Sequence, residues 1–153
     1  MTSISTTSTT TLSAPSPRVV MGVGLVSCLV AIAGTSFGAH GWTELLVVAA
    51  ILVACTALVF GKVVPSALGR SSAGGTALAL SILALLLLVP AFWSGLPLVL
   101  GVAGAILGNA GRRASGGAGK CIAAVAMGAL AAVGYLAIYV SDAMNGGAGF
   151  LFE

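Results

Sequence analysis

Five apolar runs, none containing a Lys, Arg, Asp, Glu or His, follow one another along most of this chain: Val19–Ala39, Leu45–Gly61, Thr76–Trp93, Leu96–Gly111 and Cys121–Ser141. A helix that is apolar all round has no face to turn to water and belongs in a large core or in lipid. A chain of 153 residues cannot build a core that hides five such runs from solvent. Its 6% of charged residues, against about 25% in soluble domains, leads to the same conclusion. The solvent for these runs is therefore lipid, and each crossing of the roughly 30 Å hydrocarbon layer needs about 20 apolar residues. The runs are unbroken rather than alternating and are dominated by Leu and Ala, which excludes membrane strands. The expected fold is all-α: an integral membrane bundle of five transmembrane helices.

Three parts follow. Residues 1–17, MTSISTTSTTTLSAPSP, are nearly all Ser, Thr and Pro, too polar to offset the entropy of ordering, and are expected as a disordered cytoplasmic tail. Residues 18–141 form the five-span domain, and residues 142–153 a short extracytoplasmic tail.

The few charges orient the chain. Arg18 precedes span one, Lys62 and Arg70 separate spans two and three, and Arg112, Arg113 and Lys120 separate spans four and five. If all five spans cross, these segments share one side of the membrane and hold every Lys and Arg of the chain. His40, Glu44, Asp142 and Glu153 fall on the other. The positive-inside rule then places the N-terminus in the cytoplasm and the C-terminus outside, in a multi-pass inner-membrane protein. Phe37, Trp42, Phe92, Trp93, Tyr135 and Tyr139 cluster toward the outer side, where amphipathic rings anchor at the interface. Span four is the weak element. Pro90 and Pro97 bracket its entry, and a helix of about 16 residues at about 1.5 Å each reaches only about 24 Å. A re-entrant hairpin is the alternative, but it would leave the cations of residues 112–120 outside.

Two processing signals fail. Ala31-Ile32-Ala33 after Arg18 has the small-x-small look of a signal-peptide cleavage site, yet the apolar run continues to Phe37. LVSC at 25–28 resembles a lipoprotein box, but LVAC at 52–55 fits the same loose pattern, and apolar rather than polar residues follow Cys28.

The segment RRASGGAGKC, 112–121, invites comparison with a phosphate-binding loop, G-x-x-x-x-G-K-[ST] between a strand and a helix. With Gly119-Lys120 aligned, the first glycine is Ala114, the Ser/Thr is Cys121, and an apolar helix precedes the loop. No nucleotide site is expected. The glycines end one helix and let the chain reverse, and the cations hold the turn near anionic lipid. A net charge of +3 without a long basic patch excludes nucleic acid as a partner.

LVLGVAGAILGNAGRR (98–113) followed by GGAGKCIAAVAMGALAAVGYLAI (116–138) resembles a bacterial family of small multi-spanning membrane proteins classed only as a domain of unknown function. In that family a glycine-rich helix ends in Gly plus a polar residue, often His. A basic Gly-rich turn and an Ala/Gly-rich helix ending near Gly-Tyr follow. Gly108-Asn109 and Gly134-Tyr135 occupy those places, with Asn109 for the usual His. The resemblance spans roughly residues 74–139 and implies a bacterial inner-membrane hairpin, with no activity attached. GRSSAGGTALAL (69–80) echoes GRRASGGAGKCIAA (111–124). Duplication of a two-helix unit would explain this, but so does common pressure for a basic cytoplasmic turn.

No Asp, Glu, Lys, Arg or His lies inside a span, and such residues mark proton relays and ion paths because they are costly there. A proton-coupled pump is therefore not expected. Catalysis lacks material as well: there is one His, and no carboxylates are paired by spacing. His40 and Glu44 in HGWTE are read as a polar cap for span two, not as a metal or catalytic pair. Cys28, Cys55 and Cys121 are far apart without a C-x-x-C and are read as small buried hydrophobes. No cofactor, metal or enzymatic activity is expected.

Glycine spacing is the remaining signal. Gly101, Gly104, Gly108 and Gly111 lie within one narrow arc of span four, and Cys121, Ala124, Gly128 and Ala131 repeat the spacing in span five. Such faces let helix backbones approach closely, within the chain or against another membrane protein or a second copy. Gly34-x-x-x-Gly38 is a weaker candidate, and Gly95, in the outer loop, serves as a position where a large residue should do no harm. The function expected is that of a non-catalytic interaction or assembly component packing through these faces. A small transporter or channel component is the alternative, for which Ser27, Thr35, Ser36, Thr56 and Ser81 are too scattered to make a polar stripe.

Overall fold

The computed structural model describes residues 15–38, 41–68, 70–114 and 118–145. Among them there is no strand, and five helices follow the five apolar runs: α1 (Pro17–Gly38), α2 (Trp42–Ala67), α3 (Ala73–Leu88), α4 (Leu96–Ala114) and α5 (Ala118–Met144). Three are long and apolar enough to cross a membrane: α1 over Pro17–Ser36, α2 over its whole length, and α5 over Ala118–Asp142. The other two are shorter.

Local chemistry sets the ends. Ser16 caps α1, its hydroxyl accepting from the Val19 amide at 3.4 Å. Pro17 is the first helical residue, where no N–H is needed. α2 runs past the expected Gly61 through a π-helical turn, Val59–Val63, to Ala67. Pro65 explains the wide turn: it cannot donate and would crowd the carbonyl four residues back, so the Val64 amide bonds Val59 five residues back instead. Lys62, expected in a loop, therefore sits on the last turns of a helix. α3 stops at Leu88, short of the expected Trp93, because Pro90 interrupts the ladder. A 3₁₀ turn, Phe92–Ser94, follows and closes on Gly95 at φ +70°. Only glycine takes that conformation freely. Pro97 then lies in the first turn of α4, where its missing N–H costs nothing.

The length problem thus moves. α3 has 16 residues, or about 24 Å, and α4 has 19, or about 28 Å. α4 is also the centre of the bundle: no residue from Leu96 to Gly111 is exposed. A helix enclosed by protein need not match the thickness of the hydrocarbon layer.

α3, α4 and α5 form a tight triad. Gly101 faces Gly128 and Ala131, while Gly108 faces Cys121 and Ala124, so α4 and α5 run antiparallel. Gly104 faces Ala77 and Ser81, and Gly111 faces Ala73 and Gly74, so α3 is antiparallel to α4 as well. α1 and α2 form a hairpin laid against this triad. Phe60 sits on Gly24, and Ala31 and Leu52 close on Gly95. These registers gather Arg18, Lys62, Arg70, Arg112 and Lys120, all exposed, at one end of the bundle, with Glu44 and Asp142 at the other.

Two expectations are corrected. Tyr135, read as an interfacial anchor, is 1% exposed and belongs to the core. Its hydroxyl donates to the Ala31 carbonyl at 3.2 Å, which satisfies the phenol inside the bundle and ties α5 to α1. Gly95 is not a neutral loop position: besides its positive φ, a Cβ there would lie 2.7 Å from Ala31 Cβ. Residues 1–14, His40 and Glu153, with the readings attached to them, lie outside the described residues, as do the side chains of Phe37 and Arg113.

Candidate functional site

The feature best defined at residue level is the contact among α3, α4 and α5. Small residues recur on each helix at spacings of three and four, which places them on one face. A helix without a Cβ at the contact lets a neighbouring backbone reach its own, and the gain is dispersion summed over many close atoms.

Every small residue of the two expected faces is buried here. Ala124 and Ala131 are 0% exposed, and Gly101, Gly104, Gly108, Gly111 and Gly128 are all buried. A Cβ on Gly101 would come within 2.7 Å of the Gly128 carbonyl oxygen. One on Gly128 would overlap the Gly101 carbonyl and lie 3.0 Å from the Ala105 amide nitrogen. On Gly108 it would meet the Cys121 carbonyl at 2.8 Å, and on Gly104 the Ala77 carbonyl at 3.0 Å and the Ser81 hydroxyl. At these four positions the obstacle includes backbone, which cannot rotate aside. At Gly111 the nearest atom is Cys121 Sγ at 2.9 Å, a side chain that can give way. The face is thus used up inside the chain, between its own helices. Gly34 is occupied in the same way, against the Tyr135 hydroxyl.

Ser81 was missed as a member of this site. It is 0% exposed and donates its hydroxyl to the Ala124 carbonyl at 2.7 Å, a hydrogen bond between α3 and α5 beside Gly104 and Gly128. The signal was present in the small residues Ala73, Ala77, Ser81 and Ala84, spaced four, four and three, all buried. Viewed only as one of several scattered hydroxyls, Ser81 lost that context. The other buried hydroxyls of α1 bond their own helix: Ser27 to Val23, Thr35 to Ile32 and Ser36 to Ala33. Thr56 on α2 is the exception, buried with no hydrogen-bond partner among the described residues.

Among the described residues no three of His, Cys, Asp or Glu come together. Cys28 and Cys121 are buried and Cys55 half-buried, all as free thiols. At the basic end, Arg112 Nη2 donates to Asn109 Oδ1 at 2.7 Å, so Asn109 steadies a cation near the end of α4. Comparison with protein-family models, with curated proteins and with solved structures gives no match.

Proposed function

We propose that this chain is a five-span inner-membrane protein, N-terminus in the cytoplasm and C-terminus outside, that acts without catalysis as an assembly component. The charge partition between the two ends supports that orientation, because Lys and Arg set topology in short loops. The resemblance to the bacterial family of unassigned membrane proteins fits the location. Assembly is favoured over conduction because α3, α4 and α5 meet closely at Gly101, Gly104, Gly108 and Gly128, with the Ser81 hydroxyl bonded between α3 and α5.

The glycine faces build the protein itself, so the surface offered to a partner is the α1–α2 hairpin. One observation carries this reading. A cleft of about 440 Å³ runs between α1 and α2, lined by Met21, Gly22, Leu25, Cys28, Val53 and Thr56 among others. Thr56 brings to it the buried hydroxyl without a partner, a costly arrangement where lipid supplies none. A transmembrane helix of another protein seated there would fill the cleft and supply an acceptor.

Photo-crosslinking in intact membranes tests this. A crosslinking residue at Met21 or Val53 should yield a discrete protein adduct, while one at Leu86, on the outer face of α3, should not. An adduct at twice the 14.8 kDa chain mass would make the partner a second copy and displace a foreign helix. No protein adduct from the cleft positions would remove the proposal. Cysteine labelling checks orientation: probes in the N-terminal tail should react from the cytoplasm and probes near Asn145 from outside, and both ends on one side would eliminate five crossings.

A further inference from the structure

The α1–α2 cleft brings three features into one line: an apolar channel, a buried hydroxyl and two cations. The antiparallel register that seats Phe60 on Gly24, and both Ala31 and Leu52 on Gly95, brings Thr56 level with Cys28. Both line the cleft, and Thr56 supplies the one hydroxyl among its walls. Thr56 is 8% exposed, and its hydroxyl oxygen is buried with no hydrogen-bond partner among the described residues. Acyl tails offer no acceptor at that depth, but an ester carbonyl is one.

The cations stand at the cytoplasmic mouth. Arg18, Met21 and Leu25 are spaced three and four along α1, so Arg18 shares the face that lines the cleft. Lys62 lies two positions past Phe60, which lines the opposite wall. Both cations are exposed. The described acids, Glu44 and Asp142, lie at the other end of the bundle, so no described carboxylate neutralises either of them.

Resting on the membrane reading above, with the basic end in the cytoplasmic leaflet, we infer that the unassembled chain holds one anionic phospholipid in this cleft. Its phosphate lies between Arg18 and Lys62, an acyl chain fills the apolar channel, and an ester carbonyl accepts from the Thr56 hydroxyl. Lys62 follows Thr56 by six positions, about 9 Å along a helix. A lipid bridges that distance from phosphate to ester group, helped by the reach of the lysine side chain. The charges are complementary, since the cytoplasmic leaflet is the one rich in anionic lipid. A zwitterionic lipid would set its ammonium beside the same two cations and is disfavoured. A partner helix entering the cleft displaces the lipid, so lipid release is the step that opens the docking face.

The test uses the full chain, delipidated in neutral maltoside micelles, with no partner present. Dioleoylphosphatidylglycerol is the probe, dioleoylphosphatidylcholine its zwitterionic counterpart, and native mass spectrometry counts the lipid retained. The second readout is alkylation of Cys28, which lines the cleft, against Cys121, which lies in the triad. The expected result is one phosphatidylglycerol held per chain, with alkylation slowed at Cys28 alone. Arg18→Gln and Lys62→Gln should each weaken binding about fivefold. Thr56→Val should weaken it about threefold, with Thr56→Ser close to wild type. Lys120→Gln, at the same end but on α5, should change nothing. A matching size-exclusion profile shows that each variant is intact. Equal retention of phosphatidylcholine, equal loss from Lys120→Gln, insensitivity to Thr56→Val, or no protection of Cys28 would overturn the proposal. Protection of Cys28 by inorganic phosphate alone would put a free anion in the place of the lipid and overturn it as well. A crosslinked partner helix without bound phosphatidylglycerol would remove the lipid and leave the docking reading standing. Bound phosphatidylglycerol without a protein adduct would do the reverse.

Discussion

The triad α3–α4–α5 and the hairpin α1–α2 are made from similar residues and packed by different rules. In the triad, glycines on α4 and α5 meet backbone atoms of their neighbours, as when a Cβ on Gly101 would stand 2.7 Å from the Gly128 carbonyl. In the hairpin, Gly24 receives a large ring, with Phe60 Cβ 2.9 Å from where its own Cβ would stand, whereas Gly22 has nothing within 4 Å. Water would drive both regions together, whereas lipid would exert no such pressure and would leave helices in contact only where shapes fit. Glycine content alone does not pack a membrane helix. A glycine face packs when a second small face meets it in register, and α1 and α2 lack that over the length of their cleft.

This contrast breaks most readily at the triad. Gly128→Leu and Gly104→Leu should cause the largest losses, beyond about 3 kcal/mol, since the added side chain meets backbone on two helices. Size-exclusion of the extracted variants should show little folded protein, and wild-type behaviour for either would mean that the three helices meet in a different register. Gly95→Ala comes next. The left-handed backbone costs about 1–2 kcal/mol for any residue with a Cβ, and the contact with Ala31 adds to it. A melting temperature equal to wild type would show that α1 does not close on the 3₁₀ turn.

Smaller effects sharpen the comparison. Ser81→Ala removes the hydrogen bond inside the triad and Tyr135→Phe the one between triad and hairpin, each worth about 0.5–1.5 kcal/mol. They should differ in kind. Tyr135→Phe should speed alkylation of Cys28 on α1, while Ser81→Ala should leave that rate alone and affect Cys121. Equal changes at both thiols would mean that the two regions open as one. Thr56→Val removes a buried hydroxyl that has no bond to lose and should raise stability by about 1 kcal/mol, and, smallest of all, Gly22→Leu points into open space and should move it by less than about 0.5 kcal/mol. A clear loss from Gly22→Leu would close the cleft and erase the distinction.

Much of the helical layout was legible because a helix suited to lipid must be apolar along its whole length, and that shows as an unbroken apolar run. The small faces of α4 and α5 were legible because helical periodicity projects them from spacing alone. The face of α3 was equally present in Ala73, Ala77, Ser81 and Ala84, but alanines in an alanine-rich chain carry little contrast. Boundaries were less legible where a proline's effect depends on context. Pro65 is absorbed by a π-helical turn and α2 continues, while Pro90 ends α3.

Some properties belong to each residue's own chemistry and its distance along the chain, and these the sequence determined by itself: helical class, five helices, the basic and acidic ends, and the lack of Lys, Arg, Asp, Glu and His within the runs. Others depend on which face meets which, and only the tertiary structure decided them. Gly101 and Gly128 are partners rather than a docking surface because α4 and α5 run antiparallel in that register. Tyr135 is a core residue because the Ala31 carbonyl lies within reach of its hydroxyl. Glu44 and Asp142, 98 positions apart, line one open pocket because α2 begins where α5 ends. No local rule relates positions so distant: lipid requires only that each helix be apolar, and leaves the choice of neighbours to the fit between surfaces.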